Sequence, residues 1–131
     1  MERGKQSLAY LDTHIVVWLY AGLTEKFTEK ARNHINDYDV IVSQVVRLEL
    51  QYLYEIGRIK VKPHRIINQL AKVINLKLSD CTLSGIITEA LKIDWTRDVF
   101  DRLLIAEANT KRSFFITADK NIIKHFKFAV W

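Results

Sequence analysis

Ser7-Leu8-Ala9-Tyr10-Leu11-Asp12-Thr13-His14-Ile15-Val16-Val17-Trp18-Leu19-Tyr20-Ala21-Gly22 is the stretch that decides the fold. Its first five residues read as a short apolar strand. Asp12-Thr13 then supplies N-cap chemistry for a strongly apolar helix from His14 to Ala21, which Gly22 stops. An acid therefore stands at the carboxyl end of a strand, where a helix begins.

The same alternation continues outward. Thr24 is expected to cap a charged amphipathic helix through Asn36, with a second strand at Asp39-Val40-Ile41-Val42. Ser43 caps a third helix, Gln44 to Ile56, whose apolar face is read as Val45, Leu48, Tyr52, Leu53 and Ile56 and whose end is Gly57. Pro63 suits the first turn of a fourth helix with Ile66, Ile67, Leu70, Val73 and Ile74 as its buried stripe. Leu76 to Ser79 reads as a third strand. Helices from Leu83 to Leu91 and Val99 to Lys111 follow, then the strand Phe114 to Thr117, a short helix from Lys120 to His125 and a last strand, Phe128 to Val130. Short apolar strands alternating with helices predict an α/β fold: a three-layer α/β/α sandwich around a mainly parallel sheet with right-handed crossovers. Ligands of such folds bind beyond the carboxyl ends of the strands, where Asp12 and Asp119 both fall.

Composition narrows the class. The 131 residues are 49% hydrophobic and 27% charged, with four Gly and one Pro, so one domain spanning 1–131 is expected, without linker or repeat. The apolar run near the amino terminus is cut short by Asp12 and His14, which predicts a cytoplasmic protein with no membrane segment. A single cysteine, Cys81, excludes an intramolecular disulfide and a cysteine metal cluster; it reads as a plain buried or half-buried residue. The formal net charge of +5 favours a polyanionic partner such as RNA. There is no phosphate loop, no Gly-x-Ser-x-Gly elbow and no evident Cys-His pair.

Two carboxylates sit where apolar residues are expected. Glu49 shares the arc of Val45, Leu48 and Tyr52, and Asp101 that of Leu104, Ile105 and Ala108. Each needs a cation, a donor network or a proton. Singly, Glu49 could pair with a lysine or arginine, and Asp101 could simply answer the dipole of its helix. Together with Asp12 and Asp119 they converge on one sheet edge, where their repulsion calls for a divalent cation and predicts raised, coupled pKa values. All-oxygen ligation points to Mg²⁺, with Mn²⁺ as the alternative, and such a centre suits phosphodiester hydrolysis. Asp98 either approaches the metal or caps the helix that carries Asp101. Arg97, Arg102, Lys120 and Lys124 flank the acidic edge as candidate phosphate contacts, and His14 lies on the rim.

Tyr10-Leu11-Asp12-Thr13-His14, Trp18-Leu19, Val42-Ser43 and Leu48-Glu49-Leu50 resemble the opening half of a PIN-domain toxin. Arg97 to Ala108 resembles the stretch carrying that family's third acid, and Ile116-Thr117-Ala118-Asp119 the stretch carrying its fourth; Gly57-Arg58-Ile59 and Val130-Trp131 also fall where VapC-type members have similar residues. Val99 departs from the proline common in this branch. The resemblance implies an endoribonuclease in which Asp12, Glu49, Asp101 and Asp119 bind metal and catalyse, with Thr117 and Asp98 supporting them. It also implies an RNA substrate, a cognate antitoxin protein and a homodimer. Alternatives of the same fold are an RNA-processing nuclease and an RNA-binding module without turnover.

Overall fold

The computed structural model describes residues 8–131. Ser7, assigned above to the first strand, lies outside the described residues. Among those described, five strands are β1 (Leu8–Leu11), β2 (Asp39–Val42), β3 (Lys77–Leu78), β4 (Phe114–Ile116) and β5 (Ala129–Val130). They form one sheet in the order β3-β2-β1-β4-β5, and every neighbouring pair is parallel. Seven α-helices connect them: α1 (Thr13–Ala21), α2 (Glu29–Asp37), α3 (Gln44–Glu55), α4 (Pro63–Ile74), α5 (Leu83–Ala90), α6 (Val99–Thr110) and α7 (Lys120–His125). This is the expected α/β/α architecture, with a sheet that is wholly parallel.

From β1 the chain winds outward through β2 to β3, then returns to the other side for β4 and β5. The reversal falls between β1 and β4, so their carboxyl ends open onto the crevice where doubly wound sheets bind ligands. The ladder continues one residue past β1, where the Asp12 amide donates to the Ile116 carbonyl at 3.0 Å. Leu11, Phe115 and Ile116 beneath this edge are essentially inaccessible to water. Burying each such side chain is worth about 2 kcal/mol, enough to hold the acids above it on a stiff floor.

Three helix details differ from expectation. Thr24 does not cap α2. A 3-10 turn over Thr24–Lys26 intervenes, Phe27 is extended and buried, and Thr28 caps α2 by accepting from the Ala31 amide at 3.0 Å. Phe27 packs against Trp18 and Trp131 with ring centroids 6.2 and 5.5 Å away, and docking that ring breaks the helix. On α3 the inward residues are Val46 and Leu50, while Leu48, Tyr52 and Ile56 are exposed. Both stripes repeat every four residues, and positions 46 and 48 stand roughly 200° apart around a helix, so periodicity alone fitted either face. Glu49 lies only about 60° from Val46 on that wheel, which makes it half-buried. Val73 of α4 also faces out, whereas Ile66, Ile67 and Leu70 are buried. The left-handed Asn75 that follows ends α4 and turns the chain toward β3.

Candidate active site

Each acid is set in place by local structure. Asp12 follows β1 and is the N-cap of α1; its Oδ1 accepts from the Thr13 amide at 2.8 Å, and its Oδ2 accepts from the Thr117 hydroxyl at 2.7 Å. Thr117 follows β4, is fully buried, and its Oγ1 also accepts from the Asp119 amide at 3.0 Å. One hydroxyl thus joins the two strand ends on either side of the crevice. Asp119 caps α7, with Oδ1 accepting from the amides of Asn121 and Ile122 at 2.8 and 3.1 Å.

Glu49 has no ion-pair partner among the described residues. Its Oε1 accepts a 2.6 Å hydrogen bond from the hydroxyl of Thr13, a fully buried residue in the first turn of α1. Thr13 is a member of this candidate site that the sequence pattern assigned only to capping. A polar side chain beside an otherwise apolar helix, one residue after a buried acid, was the available signal. Asp98 is an exposed N-cap whose Oδ1 accepts from the Asp101 amide at 2.9 Å. That hydrogen bond makes Asp98 the cap of α6.

The electrostatics gather these groups into one centre. Burial pushes the Asp101 carboxyl up to about 7, and the charges of Asp98, Asp12, Asp119 and Glu49 push it the same way. Burial likewise raises Asp12, opposed by the Thr117 and Thr13 hydrogen bonds and by His14, and reinforced by Asp119. Glu49 is raised by burial, lowered by Thr13 and His14, and raised again by Asp12 and Asp98. His14 is exposed, yet it stands close enough for its charge to favour ionisation of both carboxylates.

Among the described residues no three acidic, histidine or cysteine side chains form a ready-made metal cage. The acids are within charge–charge range, with several carboxylate oxygens held by protein donors. That donor set still fits Mg²⁺, which keeps several of its waters and is usually bound through only one or two carboxylates. It does not fit a site demanding nitrogen or sulfur ligands.

The basic candidates divide. The Arg102 guanidinium donates twice to the Ala90 carbonyl, at 3.3 and 3.0 Å from Nε and Nη2, and is half-buried. It braces α6 against the end of α5, sharing the Ala90 carbonyl with the Ile93 amide, which donates to it at 3.1 Å. Arg97 is exposed and donates to the Asp94 carbonyl at 3.2 Å. Lys120 and Lys124 are exposed on α7, beside Asp119. Cys81 is half-buried as expected and accepts from the Ser79 hydroxyl at 3.3 Å.

Comparison with known proteins gives a consistent result. A family profile described as PIN domain matches residues 9–128. Among solved structures, the chain is similar to one in the crystal structure of VapBC2 from Rickettsia felis bound to a DNA fragment from their promoter. The TM-score is 0.66 over 93% of this chain and 96% of that one, at 15% sequence identity. Identity that low speaks to the fold alone. No curated protein sequence matches. Among the described residues, no helix is long and apolar enough to cross a membrane.

Proposed function

This chain belongs to the PIN-domain family, and from that premise we propose that it is a divalent-cation-dependent endoribonuclease, the toxin of a type II toxin–antitoxin pair. The observation that carries the reading is the Asp101 carboxyl, pushed up to about 7 by burial and by four further acids at the crevice between β1 and β4. A structure keeps such mutual repulsion where a cation relieves it, and perturbed acids concentrate at functional sites.

In this reading Asp12, Glu49, Asp101 and Asp119 hold Mg²⁺, with Mn²⁺ as the alternative. When bound, the cation supplies charge neutralisation at the scissile phosphate and an acidified water. The chain's own residues do the positioning. Thr117 keeps Asp12 turned toward the crevice and fixes the backbone of Asp119, Thr13 orients Glu49, and Asp98 aligns the first turn of α6 so that Asp101 points into the cluster. No side-chain nucleophile takes part.

The likeness to a chain of a VapBC complex supports the toxin assignment and a cognate antitoxin partner; a homodimer acting in the cytoplasm completes the proposal. Purified protein incubated with total RNA and Mn²⁺ or Mg²⁺, against EDTA and Asp101→Asn controls, tests the nuclease. Discrete metal-dependent cuts absent from the variant are expected. Their absence under every metal would leave an RNA- or partner-binding domain without turnover. Growth arrest on expression, relieved by Asp101→Asn, tests the toxin role.

A further inference from the structure

The chain's positive charge is concentrated in one segment. Between Glu55 and Asp80 lie Arg58, Lys60, Lys62, Arg65, Lys72 and Lys77 with no acid among them; these six exceed the whole formal charge of +5, so the remainder is close to neutral. None of the six is ion-paired to an acid among the described residues, where Lys92–Glu89 is the pair formed. Folding collects part of this charge in a groove of about 410 Å³ between α3 and α4, lined by Gln44, Arg47, Gln51, Lys62 and His64 among others. A second hollow of about 280 Å³, lined by Lys60, Lys62, His64 and Arg65, adjoins it through the two shared residues.

The groove's position is set by the topology. Gln44 follows the carboxyl end of β2 and donates to the Ser79 carbonyl just beyond β3 at 2.9 Å, so the start of α3 lies at the same sheet edge as the acids. Because α4 leads into the parallel strand β3, its Pro63 end also points toward that edge. Glu49 is on the same helix as Arg47 and Gln51, about 160° around it from either.

We propose that this α3–α4 groove is where single-stranded RNA backbone is held, the phosphates lying along Arg47, Lys62 and Arg65 as the chain enters the acidic crevice; this rests on the nuclease reading above. A polyanion approaching five carboxylates is repelled, and attraction must come from nearby cations. Arg102 spends two of its donors on the Ala90 carbonyl, away from the groove. The side-chain oxygen of Gln51 and the imidazole of His64 are polar atoms of the kind that ribose hydroxyls and base edges use, while Gln44 is held between the Ser79 carbonyl and the Arg47 guanidinium. One local anomaly agrees: Lys62, the N-cap of α4, makes no capping hydrogen bond, and the first turn holds no acid. The stability of that helix end has been left unimproved where an aspartate would ordinarily stand.

The test is Lys62→Asp in the cleavage-dead Asp101→Asn protein, with binding of a short fluorescein-labelled random-sequence RNA followed by anisotropy over a range of salt. Lys30→Asp on α2 is the control of equal charge change. The expected result is binding about ten-fold weaker for Lys62→Asp, with a log–log salt slope shallower by about one, and a change under about two-fold for Lys30→Asp. The melting temperature should meanwhile rise by a few degrees for Lys62→Asp, because the new side chain caps α4. Lys62→Asp binding no weaker than the control overturns the groove and leaves the nuclease standing if wild-type protein still cuts. If wild-type protein neither cuts nor binds RNA, both fall.

Discussion

The hydroxyl of Thr13 and Oε1 of Glu49 meet at 2.6 Å, joining the helix after β1 to the helix after β2 directly over the sheet edge. A half-buried carboxylate is thereby steered by a side chain from the neighbouring helix. Thr13→Val keeps the shape and removes the donor. It should lower kcat/KM about 10- to 100-fold, as loss of a ligand's orienting partner usually does, while costing about 1–2 kcal/mol of stability. Cleavage kinetics and urea unfolding of the same preparation check this. Unchanged kinetics would show that the Thr13 hydroxyl does not orient Glu49 for the reaction.

Asp101 gives a signed pH prediction. Its folded value of about 7 lies above the ordinary 3.8, so the stability it contributes is complete below about 3.8 and is lost as pH rises toward 7. In EDTA, wild-type protein should therefore lose melting temperature relative to Asp101→Asn across that window and run parallel to it above. Discounted for the exposure of the group, the full effect is about 1 kcal/mol, or a few degrees. Parallel curves from acid to neutral pH would show that Asp101 is not under the repulsion described here. Asp12 and Glu49, also raised, add to the slope in both proteins.

Cation binding should run the other way. Protons on Asp101 and its neighbours compete with the ion, so Mn²⁺ must release them, and the stabilisation it gives should grow with pH through about 7. At a free concentration one hundred times Kd the gain is about 2.7 kcal/mol. Calorimetry in two buffers of different ionisation enthalpy measures the protons released near neutral pH. A buffer-independent heat, or no ion-dependent change in melting temperature, counts against a metal centre at these acids.

How much of this was legible in the sequence depended on whether a residue's environment was local. Caps and strand-end acids were readable, because Asp12, Ser43, Asp98 and Asp119 each answer to amides within three residues. Which face of α3 is inward was not, since Val46–Leu50 and Leu48–Tyr52–Ile56 have the same period and only the packing against the sheet distinguishes them. The break at Phe27 depended on Trp131, more than one hundred residues away. Thr13 was overlooked for the same reason: its partner, Glu49, is 36 residues further on. The groove between α3 and α4 needed both helices placed before its charge meant anything.

Arg102 shows how such a distinction can be measured. Its sequence position beside Asp101 suggested a phosphate contact, but both of its hydrogen bonds end on the Ala90 carbonyl at the close of α5. Arg102→Gln should therefore act on folding and leave chemistry alone. We expect a loss of about 1–2 kcal/mol in urea unfolding, from two hydrogen bonds broken and a carbonyl left without its charged donor, together with less packing for the arginine stem. Cleavage per folded molecule, assayed well below the melting temperature, should stay within about two-fold of wild type, and the salt dependence of RNA binding should not change. A variant equally stable but ten-fold slower would mean that the guanidinium leaves Ala90 for the substrate when RNA is bound, and the brace would then be a resting position only.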